Sequence, residues 1–124
     1  MTNRSLKIGD IIIVSFPRHN PQGREQQGYR PAIVVGFPNL LGQPRFPVIL
    51  VVPMTTYKNQ SWVDNSPDLY PVFPAGTAGL RSPSVALVDQ IRAIDARRIV
   101  NYRGSLRADR YKVIRDSLKK IFKI

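Results

Sequence analysis

The chain predicts a small, mostly-β barrel with one C-terminal amphipathic helix packed on it. Three observations carry this. Short runs rich in Val and Ile recur through residues 10–102 and are bounded by Pro or Gly. The segments between them are polar and hold most of the prolines. At the C-terminus the apolar spacing changes to steps of three and four residues.

The elements follow in order. Asp10–Phe16 is a β-branched run between Gly9 and Pro17 and reads as a strand. Residues 17–31 hold three prolines and two glycines and read as a long loop of the kind that carries function. Ala32–Phe37 is a second strand, and Pro38–Gln43 a turn. Phe46–Val52 is a third strand, ended by Pro53, which lacks a ladder donor. Tyr57–Ser66 reads as polar loop. Leu69–Phe73 reads as a short strand interrupted by Pro71. Ser84–Val88 is a strand that continues through Gln90–Ile94 past a bend at Asp89, and Ile99–Tyr102 is a short one. Tyr111, Ile114, Leu118 and Ile121 then share one face of a helix over residues 107–122. Ser105 lies in its N-cap region, and Lys119, Lys120 and Lys123 lie in its last turn, where the helix dipole favours cations.

Length and composition bound the function. A chain of 124 residues is expected to form one domain spanning residues 1–124. It has no cysteine, so thiol catalysis and thiolate metal sites are excluded. His19, in Pro17-Arg18-His19-Asn20-Pro21, is the one histidine, and the acids are scattered. No zinc or magnesium ligand pattern, serine-hydrolase triad or glycine-rich phosphate loop is present, so neither metal nor cofactor is expected. No apolar run approaches the ~20 residues that span a bilayer, and the N-terminus has no secretory core, so a cytoplasmic protein is expected.

The charge balance points to anions. Net charge is +11, from 19 Lys plus Arg against 8 Asp plus Glu. Thirteen of the cations are arginines, whose planar forks match phosphate oxygens. Nucleic acid or an acidic protein is the expected partner.

Glu25 is the one glutamate, in the polar stretch Gly23-Arg24-Glu25-Gln26-Gln27-Gly28-Tyr29-Arg30-Pro31. RNA carries its own nucleophile, the 2′-hydroxyl. Cleavage therefore requires a proton acceptor, a cation and hydrogen-bond donors around the phosphate. Glu25, Arg30, Thr55 and Thr56 supply these groups if they converge. Arg30 precedes Pro31 and is biased to extended geometry. Thr55 and Thr56 follow Pro53 at a strand end. The alternative is that the threonines merely end a strand and Arg30 solvates a loop. Asp89 interrupts an apolar run, either as a bend exposed to water or as a partner for an arginine such as Arg92.

These stretches resemble the MazF/PemK family of toxin endoribonucleases. The resemblance rests on Gly9–Val14, Glu25-Gln26-Gln27-Gly28-Tyr29-Arg30-Pro31 with the strand after it, Val52-Pro53-Met54-Thr55-Thr56, and Val85–Asp95 with its Asp89-Gln90-Ile91-Arg92 block. It implies an SH3-like barrel that forms a homodimer. It implies sequence-specific, metal-independent cleavage of single-stranded RNA to 2′,3′-cyclic phosphate and 5′-hydroxyl ends. It also implies a cognate antitoxin with an acidic tail. By position, Arg30 and Thr55 match the main active-site residues, and Glu25 an acid that some members use. Asp89 matches an acid with a catalytic role in the PemK-type branch, and Thr56 is a further candidate for catalysis or RNA contact. Arg24, Gln26, Tyr57, Lys58, Gln90 and Arg92 flank these positions as implied RNA contacts. The PemK-type branch carries a histidine and an arginine where this chain has Arg24 and Leu87. Tyr57 stands where glutamine is frequent.

Two other readings remain at this level. The same barrel resembles CcdB, a toxin that acts by binding gyrase, although the Glu25–Pro31 block argues against that. A basic barrel could also bind RNA without cutting it, stacking bases on Tyr29, Tyr57 or Trp62, which fall in expected loops.

Overall fold

The computed structural model describes residues 5–18, 23 and 28–124. Strands β1 (Asp10–Phe16), β2 (Gly28–Gly36) and β3 (Val48–Thr56) form an antiparallel meander. To these are added β4 (Val72–Phe73), β5 (Ser84–Ala86), β6 (Arg92–Asp95) and β7 (Ile99–Ser105). The order across the sheet is β4-β5-β3-β2-β1-β7, with β6 also paired to β3. The mostly-β architecture with a closing helix is the one the sequence predicts. The seven-stranded sheet curls but stays open: β7 pairs with β1 and β6 with β3, and no ladder joins β6 to β7.

Two strand boundaries differ from the sequence reading. β2 begins at Gly28, so Tyr29, Arg30 and Pro31 are strand residues and not the end of a loop. β1 imposes this: Val14 pairs with Arg30 and Phe16 with Gly28, so its apolar length templates a polar partner. Gly28 enters at φ +78, a conformation glycine adopts without strain. β3 runs through Pro53 to Thr56 and does not stop before the proline. One edge of β3 pairs with β6 at Val48–Val51 and with β5 at Met54–Thr56. Pro53 sits between these partners, where a missing donor breaks no continuous ladder.

Side chains alternate across the sheet. On one face Ile11, Ile33, Val52, Met54 and Ala86 join Phe73, Leu80 and Val88 in a buried cluster. Helix α2 (Ala108–Phe122) covers it, with Ile114 fully buried and Tyr111 and Leu118 packed beside it. On the opposite face Ile12, Val14, Phe16, Ala32, Val34, Ile49, Val51, Ile94 and Ile99 form a second cluster. Val63, Val85 and Leu87 form a third, smaller one. Val63 belongs to α1 (Ser61–Asp64), a single turn inside the segment expected to be loop. The Ser84–Val88 strand ends at Ala86, and the bend at Asp89 is a 3₁₀ turn over Val88–Gln90.

The helix also departs from its sequence reading at both ends. Arg107 occupies the N-cap without a side-chain cap bond. The Ser105 hydroxyl instead donates to the buried carboxylate of Asp10, which also accepts the Lys7 N–H at 2.8 Å. Ile121 is exposed and does not join the core that Tyr111, Ile114 and Leu118 reach. Ser117 takes an inward position, its hydroxyl donating to the Asp68 carbonyl.

Candidate functional site

Strand alternation decides which side chains meet. Ala32 pairs with Pro53 across β2 and β3. Arg30 and Thr55 are each two residues further along toward the same end of the sheet. They therefore project from adjacent strands on the same face as Ala32. Val14, directly opposite Arg30, belongs to the second cluster on that face. Thr55 stands opposite Val85 of the third cluster. The arginine and the threonine thus lie where these two apolar clusters meet, Arg30 exposed and Thr55 half-buried.

Phe16 and Arg92 complete this neighbourhood. Phe16 is the diagonal neighbour of Arg30, since the adjacent same-face pairs are Val14 with Arg30 and Phe16 with Gly28. Arg92 pairs with Val51 across β6 and β3 and places its guanidinium 5.2 Å from the centre of the Phe16 ring. The ring attracts the cation through its quadrupole and holds the side chain over the site. One guanidinium therefore lies over a buried ring whose diagonal neighbour on β2 is a second arginine.

The chain between β5 and β6 supplies the border. Asp89 is exposed in the 3₁₀ turn, and its Oδ2 accepts the Tyr70 hydroxyl at 2.7 Å. That bond pushes the Tyr70 pKa up, because ionisation would set two anions against each other. Tyr70 packs on the third cluster and meets Trp62 edge-on, ring centres 4.9 Å apart. Gln90 follows Asp89 in the same turn. Tyr57 packs on the third cluster too and donates to Asp64 at 2.6 Å, which raises its pKa for the same reason. Lys58 is exposed beside it.

Thr56 does not join Thr55. It follows by one residue and alternates to the helix-bearing face, where it lines a separate cavity of about 200 Å³ with Pro31, Arg81 and Arg103. Glu25, Arg24, Gln26 and His19 lie outside the described residues. Among the described residues, no three His, Cys, Asp or Glu side chains come together to hold a metal ion. No helix among them is long and apolar enough to cross a membrane.

Sequence reasoning missed Phe16, Tyr70, Arg81 and Arg103. Phe16 reads as an ordinary core residue until the register sets it diagonal to Arg30. Tyr70 is 19 residues from Asp89, and no local spacing connects them.

The model of PemK-like, MazF-like toxins of type II toxin-antitoxin systems matches residues 7–122 of this chain. Among solved structures, MazF from Deinococcus radiodurans in crystal form I is similar at TM-score 0.73 and 22% identity, covering 98% of this chain and 100% of that one. The Mycobacterium tuberculosis toxin MazF-mt6 gives TM-score 0.64 at 17% identity, with 93% and 97% covered. A mycobacterial endoribonuclease in complex with its cognate antitoxin gives 0.66 at 12%, with 97% of each chain covered. No curated protein sequence matches.

Proposed function

Because the chain belongs to the PemK-like, MazF-like family of type II toxins, we propose that it is a sequence-specific endoribonuclease. Its substrate is single-stranded RNA, and no metal is needed. The observation that carries this reading is the placement of Arg30 and Thr55 on one face of adjacent strands, between two apolar clusters.

In this reading the 2′-hydroxyl oxygen attacks the neighbouring phosphorus. The bond to the 5′-oxygen breaks, leaving a 2′,3′-cyclic phosphate and a 5′-hydroxyl. A guanidinium is a hydrogen-bond donor with no acceptor site, so Arg30 is not assigned as the base. Its guanidinium stabilises charge on the phosphoryl oxygens and hydrogen-bonds the departing 5′-oxygen. The Thr55 hydroxyl donates to a non-bridging oxygen. Glu25 accepts the 2′-hydroxyl proton, or orients Arg30 while water takes that proton, and the departing 5′-oxygen takes a proton from water. Asp89, on the border of the site, contacts the RNA with Gln90 and Arg92, and Arg24, Gln26, Tyr57 and Lys58 extend that contact. The toxin works in the cytoplasm as a homodimer. The acidic tail of a cognate antitoxin neutralises the same basic surface; the fold likeness to a chain of the MazE-MazF structure from Deinococcus radiodurans supports a toxin–antitoxin pairing.

The test is incubation of purified protein with a long single-stranded RNA in EDTA, followed by mapping of sites and end groups. The expected result is cutting at short defined sites with cyclic phosphate ends. Arg30→Ala should abolish cleavage while leaving the melting curve and oligomeric state unchanged. An Arg30→Ala protein that cuts at the wild-type rate refutes the site. Clean protein that leaves RNA intact but causes DNA damage on expression would favour a gyrase-binding toxin instead.

A further inference from the structure

We infer that the cavity behind Thr56 is a second anion site, which holds a phosphate of the RNA strand away from the scissile bond. The inference rests on the RNA-cleaving reading above. Its floor is Ile13, Pro31, Thr56 and Ser84, one residue from each of four neighbouring strands, all on the helix-bearing face. Its walls carry Arg81 and Arg103. Neither arginine has an ion pair or hydrogen bond to another described residue, in contrast to Arg97 and Arg107, which hold Asp95 and Asp109. Among the described residues no acid lines the cavity.

The walls are fixed in place. A Cβ on Gly79 would lie 2.4 Å from the Arg103 carbonyl oxygen, and one on Gly104 would lie 2.7 Å from the Ala78 carbonyl oxygen. The loop bearing Arg81 is therefore pressed backbone to backbone against the strand bearing Arg103, and Gly79 takes φ +80 to allow it. Two guanidinium forks carried on abutting backbones, above a partly apolar floor, suit an anion with several acceptor oxygens such as a phosphate. At about 200 Å³ the cavity is smaller than the roughly 300–1,000 Å³ that encloses a drug-sized ligand. It suits a phosphate group and not a whole nucleoside.

The strand ends point to RNA as the source of that phosphate. Arg30 and Thr55 face the candidate cleavage site, and their immediate neighbours Pro31 and Thr56 face this cavity. A backbone crossing the ends of β2 and β3 meets both sites in succession. The second site then sets the register of the strand over Arg30 and Thr55 without touching the reacting atoms, so it acts on binding and not on chemistry.

The test uses the full-length protein and a fluorescent single-stranded RNA carrying its cleavage site, fully 2′-O-methylated so that it binds uncut. Anisotropy titrations at several salt concentrations compare wild type with Arg81→Gln/Arg103→Gln, and cleavage of the unmodified RNA gives kcat and KM. Loss of one phosphate contact should lower the salt slope by about 0.7 and raise KM roughly tenfold, with kcat within twofold of wild type. Ser82→Asp, which sets a negative charge at the mouth, should reproduce the KM effect and guards against misfolding of the double variant. Wild-type affinity and slope in both variants, with wild type cleaving normally, overturn the second site alone. Lost binding of the acidic antitoxin with unchanged RNA binding also overturns it and reassigns the cavity to the protein partner. A wild-type protein that neither binds nor cuts RNA overturns the ribonuclease reading itself, and the second site with it.

Discussion

The adjacent threonines give the sharpest test of the site. They differ by one position on β3, yet alternation sends Thr55 toward Arg30 and Thr56 toward the arginine-lined cavity. Valine at either position keeps the side-chain shape and suits a strand while deleting the hydroxyl. If Thr55 donates to a phosphoryl oxygen in the transition state, Thr55→Val removes one hydrogen bond to a charged group. Such a bond contributes about 1.5–3 kcal/mol. At about 1.4 kcal/mol per factor of ten, kcat should fall roughly 10- to 150-fold. Thr55 is half-buried, so water replaces part of the lost bond and keeps the effect below the thousand-fold extreme for such donors. Thr56→Val should leave kcat near wild type and raise KM a few-fold. The assay is cleavage of a short quenched RNA over a range of substrate concentrations, with thermal melts to confirm folding. Equal kcat losses in the two variants, or a normal kcat in Thr55→Val, would refute the assignment of faces.

Three further outcomes follow from the packing and the charges. Ile114 is fully buried between α2 and the sheet, so Ile114→Ala should cost about 2–5 kcal/mol in urea unfolding; a loss below about 1 kcal/mol would mean the helix is not seated there. Ser105→Ala leaves one oxygen of the buried Asp10 carboxylate without its hydroxyl donor and should cost about 1–3 kcal/mol, while cleavage by the folded protein persists. Asp95 is held at a pKa of about 2, chiefly by the side-chain hydrogen bond from Arg97, helped by its backbone N–H. A lowered folded-state pKa gives a stabilisation that is present above the ordinary value near 3.8 and lost as pH falls toward 2. Asp95→Asn should therefore flatten that part of the acid unfolding profile, by a modest amount because the pair is exposed to solvent; an identical acid limb in both proteins would contradict it.

The core of the sheet was legible because its signal is local. Ile11–Val14 and Val48–Val52 bury β-branched side chains on both faces, so composition alone marks them as strands. The polar start of β2 was not legible, since Tyr29, Arg30 and Pro31 become strand only because β1 is long enough to pair with them. Ser105 was misplaced because a helix cap and a buried carboxylate compete for the same hydroxyl, and the carboxylate is 95 residues away. Arg30 and Thr55 were legible through resemblance, but their shared face was not, because it depends on the β2–β3 register. Alternation along β3 separates Thr56 from them, and the β1–β2 register brings in Phe16.

Pro53 explains why the edge of β3 changes partner beside the proposed site. The Pro53 carbonyl accepts the Leu87 N–H at 2.9 Å, so the two residues begin the exchange that an antiparallel ladder completes with a second bond. Proline has no N–H to return it. The Leu87 carbonyl instead accepts the Gln90 N–H at 2.9 Å, and the chain turns there. The ladder with β5 ends, the turn over Val88–Gln90 brings Asp89 to the surface, and pairing resumes with β6 at Val51, two residues before Pro53, which brings in Arg92. One missing donor thus divides a strand edge between two partners. The residues that leave the ladder include the polar Asp89 and Gln90, and the residue at the resumption places its guanidinium over Phe16. The proline that reads in the sequence as the end of a strand is what divides its edge between β5 and β6.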